Sequence, residues 1–192
     1  MEKREYSTIF RIMHWAIAIC MLFMLLTIFL RMNWMNKNNV ADIIQNYLSN
    51  TEQVLSDDEA IVLAKQIRKP MWEWHVYIGY VLVGLYSLRL LLPFLGMMKF
   101  TNPFRSDIDI KARIQFLIYI IFYICVGISL FTGMMIVLGP KSLKSAMESV
   151  HILSIYYLVI YILLHFGGVL YAEFTNQPGL VSKIISGGKK VE

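Results

Sequence analysis

The chain has 192 residues, 57% of them hydrophobic and 16% charged, with a net charge of +5 at pH 7. A water-soluble domain of this length needs more polar residues to cover its surface, so composition excludes an ordinary soluble enzyme or binding module. No basic cluster carries interleaved aromatics, which argues against a nucleic-acid surface; Cys20 and Cys125 lie in separate apolar runs, which excludes a disulfide framework and leaves small buried hydrophobes.

The first apolar run has no charge from Ile12 to Leu30. It reaches the roughly 20 residues a membrane-spanning helix needs, and it predicts a span over about residues 10–31. It is too long for a cleavable signal peptide, and no small-residue cleavage site follows in "RMNWMNK". A loop over about residues 32–70 is the main piece expected outside the bilayer. In it, "VADIIQNYL" has apolar residues at helical spacing. Ser56 followed by Glu59 reads as a capping box, opening a short helix "DDEAIVLAKQIR" expected to stop before Pro70. These two helices serve either as a lid on the spans or as a docking surface for a partner protein.

The second span is predicted over about 72–95, with Arg89 the single charge between Trp74 and Met98. The third falls at about 114–139 and the fourth at about 149–172; charges are absent from Ile114 to Pro140 and from Ser149 to Ala172. The tail "GLVSKIISGGKK" predicts a brief interfacial helix ended by Gly187 and Gly188. With no repeat and no second domain visible, the expected architecture is all-α: a single integral membrane four-helix bundle over residues 1–192.

Loop charges set the expected orientation. Lys3, Arg4 and Arg11 precede the first span, Lys99, Arg105, Lys111 and Arg113 crowd the second loop, and Lys183, Lys189 and Lys190 follow the last span. Five basic residues at the edge of and within the first loop, Arg31, Lys37, Lys65, Arg68 and Lys69, spread over roughly forty positions, are balanced by Asp42, Glu52, Asp57, Asp58 and Glu59, and the third loop has Lys141 and Lys144. Both termini are therefore expected on the cytoplasmic side.

All four histidines, His14, His75, His151 and His165, sit in or beside these runs. Ionisable side chains in a span are costly and mark function by default. Under the expected orientation His14 and His165 lie near the inner surface, and His75 and His151 near the outer one. On one continuous helix, the 14 residues from His151 to His165 make close to four turns, putting both on one side about 21 Å apart. Two imidazoles from different helices are what a haem iron takes as axial ligands. Zinc wants four ligands together, and a proton relay wants Asp or Glu within the spans, whereas Glu73, Glu148 and Glu173 stand only at the edges. Two low-spin haems b use all four histidines, an outer pair (His75, His151) and an inner pair (His14, His165).

Gly79 follows His75 by one turn and Gly168 follows His165 by three residues. Both leave room for a flat macrocycle, though glycine also serves ordinary helix packing in membranes. Arg11, one turn before His14, suits either an inner haem propionate or a positive-inside anchor. Trp15, Trp72 and Trp74 suit an interfacial aromatic belt.

These elements resemble the bacterial four-helix di-haem cytochromes b, the cytochrome b-561 group that includes the cytochrome b subunit of nickel–iron hydrogenases. The likeness rests on "RIMHW", "WHVYIGYVLVGLYSLRLL", "FTGMM", the paired histidines of the fourth span and "HFGGVLYAEFTNQPGLVSKIISGGK". It covers nearly everything but the first loop. The family's haem-ligand positions fall on His14, His75, His151 and His165. The resemblance implies a multi-pass protein of the bacterial cytoplasmic membrane that moves electrons between a redox partner, docked on the outer face, and quinone in a respiratory chain. In the hydrogenase-like branch electrons enter at the outer haem and leave at the inner one. A related small group instead oxidises superoxide at the outer face and passes the electron to quinone, and a cationic funnel near the outer haem would favour that alternative. Glu173, Arg11 and the second-loop basic residues are candidates for an inner quinone site, and Trp72, Lys141 and Lys144 for an outer one. A third possibility is a scaffold whose histidines only bond between helices, which would be colourless.

Overall fold

The computed structural model describes residues 6–51, 53–98, 102, 104, 108–175 and 177–187. Lys3, Arg4, Glu52, Lys99, Arg105, Gly188, Lys189 and Lys190, named above, lie outside the described residues. Among the described residues the regular structure is entirely helical. Seven α-helices follow in order: α1 Thr8–Met32, α2 Lys37–Leu48, α3 Asp57–Leu91, α4 Ile110–Leu138, α5 Lys144–His151, α6 Ser154–Phe174 and α7 Leu180–Ser186. Short 3₁₀ turns extend α3 over Leu92–Leu95 and precede α5 over Lys141–Leu143.

Four helical stretches, Thr8–Met32, Asp57–Leu95, Ile110–Leu138 and Lys141–Phe174, are long and apolar enough to cross a membrane. Their apolar side chains point outward: Ile19 is 62%, Ile121 60% and Leu163 68% exposed. Leaving such a side chain in water forfeits about 1.5–3 kcal/mol each. A helix apolar all round belongs in lipid.

The chain divides into two compact units, Ile17–Gly84 and the remainder, Met1–Ala16 with Leu85–Glu192. In the first unit α2 lies against the opening turns of α3. Ala41, Ala60 and Ala64 are buried at the contact, flanked by Val40, Ile44 and Ile61, and Gln45 donates to Asp57 at 2.8 Å. Alanines let the two helix backbones approach closely. The capping box forms as expected: the Ser56 N–H and hydroxyl both donate to the Glu59 carboxylate, at 3.0 and 2.7 Å, and the Glu59 N–H donates back to the Ser56 oxygen at 3.4 Å. Those bonds, the hydroxyl's first, hold the Glu59 carboxyl below the usual glutamate range.

The helix begun there does not stop before Pro70 but runs on as one element to Leu91. Proline removes one backbone donor, so the carbonyl four residues earlier, on Gln66, loses its helical partner. Gln66 is exposed, so water can take that carbonyl, and helix formers on both sides carry the helix through. The 35 residues of α3 measure about 52 Å. A hydrocarbon core is about 30 Å thick, so the opening turns stand clear of it.

In the second unit α4 packs against α5 and α6, and α6 against α7. Arg89, the lone charge of the second span, donates to the Met98 carbonyl at 3.1 Å and lies 5.7 Å from the Tyr123 ring centre. A backbone acceptor and an aromatic face are what a buried guanidinium requires. The tail folds as α7, ended by Gly187 at φ 86°, a left-handed conformation that favours glycine.

The fourth span is not one uniform helix. α5 ends at His151, and Ile152 and Leu153 form a tightened turn before α6 begins. The Leu153 N–H donates to Val150 and the Tyr156 N–H to Leu153, both three residues back, at 3.1 Å. Such bonds add about three residues per turn instead of 3.6, so the same-face argument for His151 and His165 does not carry across this turn.

Candidate functional site

His75 stands on α3 and is 5% exposed. Its Nδ1 meets the hydroxyl of Thr27, on α1, at 2.7 Å, and Thr27 is itself 2% exposed. Donor counting fixes the direction of that bond. The Thr27 hydroxyl has one proton, and it goes to the Met24 carbonyl at 2.7 Å, which can only accept. Toward His75 the oxygen is therefore the acceptor, and Nδ1 carries the proton. The nitrogen with the lone pair for a metal is Nε2.

On its other side His75 stacks face to face with Trp72, ring centres 4.5 Å apart and planes 6° from parallel. The Arg31 guanidinium lies over that indole at 4.2 Å. Arg31 and Trp72 also line a cavity of about 180 Å³ with Lys65, Arg68, Lys69 and Met71. Glu73 lies 3.7 Å from Lys69 and offsets these charges in part. The cavity is thus cationic and one side chain removed from His75.

His151, at the end of α5, is held by α4. Its Nδ1 lies 3.0 Å from the Ser129 carbonyl and 3.2 Å from the Thr132 hydroxyl. The Thr132 hydroxyl donates back along its own helix, to Ile128 at 2.9 Å or Ser129 at 3.1 Å. Both neighbours accept, so His151 too is the Nδ1-protonated tautomer with its lone pair on Nε2. Gly133 makes the approach possible: a Cβ there would stand 3.0 Å from His151 Cε1. These two residues explain the "TG" of "FTGMM" physically.

His14 and His165 come together directly, ring centres 6.0 Å apart and planes 41° from parallel. One metal bonded to a nitrogen of each at about 2.0–2.1 Å sets ring centres at roughly 6 Å. Their surroundings are aromatic. Phe10 stacks over His14 with centres 6.4 Å apart, and Tyr161 over His165 at 5.6 Å. Among the described residues neither ring receives the hydroxyl or carbonyl contact that marks His75 and His151.

Space beside the rings is available. A Cβ at Gly168 would meet nothing within 4 Å, and one at Gly79 would meet only Met24 Cε at 3.9 Å. Among the described residues no three His, Cys, Asp or Glu side chains converge. A haem asks for less, two imidazole nitrogens, because its macrocycle supplies the other four ligands. The donor set and the 6.0 Å pair fit that group.

Arg11 and Glu173, candidates for the haem or quinone neighbourhood, are both bonded to α7. Arg11 donates to the Ile185 carbonyl at 3.1 Å and Trp15 Nε1 to the Ile184 carbonyl at 3.2 Å, at the helix C-terminus. The Glu173 carboxylate accepts from the N–H groups of Gly179 and Val181, at 2.8 and 2.9 Å, at its N-terminus. A carboxylate at the N-terminus and a cation at the C-terminus complement the helix dipole. Lys141 and Lys144 lie at the turn leading into α5, and Lys111 and Arg113 in the first turn of α4. Thr27, Ser129, Thr132 and Gly133 were not among the residues singled out from sequence, although a threonine inside a charge-free span is itself a signal of hydrogen bonding between helices.

The four membrane-length apolar stretches thus carry two tautomer-fixed imidazoles and one imidazole pair. The family model of prokaryotic cytochrome b561 matches residues 5–187, and the chain belongs to that family. It is accordingly a multi-pass membrane protein that binds haem b and transfers electrons. No curated protein and no solved structure matches the chain.

Proposed function

We propose that the chain is a di-haem electron carrier of the bacterial cytoplasmic membrane, passing electrons between a redox partner on the outer face and the quinone pool. His75 and His151 hold the outer haem, His14 and His165 the inner one, and both termini are cytoplasmic. The observation that carries the reading is the His14–His165 pair, two imidazoles whose ring centres lie 6.0 Å apart, close to the roughly 6 Å that one metal bonded to both would set. A low-spin haem held by two histidines supplies one-electron chemistry at a fixed position. The chain's own residues orient the rings. Thr27, Ser129 and Thr132 turn His75 and His151 so that Nε2 is the ligating atom, and Tyr161 and Phe10 brace the inner pair.

The test is reoxidation of the dithionite-reduced chain by a water-soluble quinone, followed at the haem absorption band. Complete reoxidation far faster than buffer controls is expected. A reduced spectrum untouched by quinone would contradict the proposal.

A second reading draws support from the cationic cavity lined by Arg31, Lys65, Arg68, Lys69, Met71 and Trp72 beside His75. In it the chain is a self-contained oxidoreductase that takes electrons from superoxide at the outer face and gives them to quinone. Clustered cations raise the encounter rate of a small anion and lose that effect in salt. Superoxide consumption that requires both the chain and quinone, and that slows in salt, would favour this reading over the carrier.

A further inference from the structure

Two of the four histidines, His75 and His151, are tied through Nδ1 to oxygen acceptors; among the described residues the other two, His14 and His165, have ring contacts and no such bond. The acceptors are unlike in kind. For His75 the acceptor is one side-chain hydroxyl, Thr27, whose own proton is spent on the Met24 carbonyl. For His151 the Ser129 carbonyl and the Thr132 hydroxyl share the work, at 3.0 and 3.2 Å. A proton shared from Nδ1 leaves more electron density on Nε2, which stabilises ferric over ferrous iron. An imidazole without that bond pushes less.

Resting on the di-haem reading above, we propose that Thr27 is a positioning residue that fixes the His75 tautomer and, with Ser129 and Thr132 acting on His151, keeps the haem on these histidines at a lower potential than the haem on His14 and His165. Electrons then run downhill from the His75 side to the His14 side. The threonines set the direction without touching the iron.

The experiment is a potentiometric titration of the detergent-purified chain and of T27V, T27S and T132V, with haem counted in each. The native chain shows two one-electron waves. T27V keeps the shape of the side chain and removes the acceptor; it raises the lower wave by about tenfold in the oxidised-to-reduced ratio, about 59 mV for one electron, and leaves the upper wave in place. T27S restores the native value. T132V moves the same wave upward by less, because the Ser129 carbonyl still accepts. No shift in T27V, a shift of the upper wave, or an equal shift in T27S overturns the proposal.

If T27V retains one haem, two in T27S uphold the proposal and one in both overturns it, since the methyl group's packing would then be what matters. If T27V does not fold, T132V decides by raising or not raising the lower wave. A native chain with fewer than two haems contradicts the di-haem reading itself, and the haem count shows that before any variant is titrated.

Discussion

The surroundings of His75 and of His165 solve one problem in two ways. Both imidazoles sit on membrane-length helices among mostly apolar neighbours, where an unsatisfied polar group costs free energy. His75 answers with a hydrogen bond, Thr27 at 2.7 Å. His165 answers with company, the His14 ring at 6.0 Å and a stacked Tyr161 at 5.6 Å. A hydrogen-bonded ring has its tautomer fixed before a metal arrives, whereas a ring held by stacking has its position constrained and its protonated nitrogen left to the ligand. The first kind of site is electronically tuned by its neighbours and the second is mainly shaped by them.

That contrast is broken most strongly at the ligands. H165A is expected to remove one haem of two per chain and leave the other spectrum intact, read by haem quantification; loss of both would show that the sites are not independent. Next in size is G133A, whose added Cβ falls 3.0 Å from His151 Cε1. Overpacking of this kind costs about 1–3 kcal/mol, so haem occupancy on the His151 side is expected to fall while the His14–His165 haem stays. T27V removes the hydroxyl that accepts from the buried His75 ring, a loss of about 1–3 kcal/mol, seen as a lower melting temperature of the holoprotein that T27S largely recovers.

Smaller effects belong to the parts remote from the rings. R11A or W15A frees the carbonyl end of α7 and is expected to speed proteolysis between Phe174 and Gly187 several-fold at unchanged haem content. Smallest is the response of the α3 capping box to acid. The Glu59 carboxyl titrates below its ordinary range because Ser56 bonds to its charged form. The stabilisation is therefore present above the unfolded glutamate range and fades as pH falls through the lowered folded value. Amide exchange in the first turn of α3 should quicken there, with the visible spectrum unmoved.

Local signals in the sequence were reliable wherever the deciding contacts are local. The Ser56–Glu59 box, the α7 helix with its glycine stop, and four membrane-length runs depend on neighbours a few residues away, and each is found. One expectation fails for lack of context and another loses its premise. Pro70 signals a stop, but the exposed Gln66 and strong flanking helix formers make it a tolerated interior residue. The same-face reading of His151 and His165 assumes an unbroken 3.6-residue repeat, and the bonds at Leu153 and Tyr156 interrupt that repeat.

The histidines themselves were visible because ionisable groups are conspicuous in apolar runs. Their partners were not. Thr27 lies 48 residues from His75, and Ser129 lies 22 from His151, so no spacing rule connects them. Glu173 and Arg11 drew notice for their charge, and only the fold reveals that both serve the ends of α7.

The most direct test of the central claim is the reduced-minus-oxidised visible spectrum of the chain, purified in detergent from haem-replete cells, with haem quantified per polypeptide. About two haems b per chain, with the sharp bands of bis-histidine low-spin iron, are expected. A colourless protein, or a single haem that survives H165A and H75A alike, would contradict that claim.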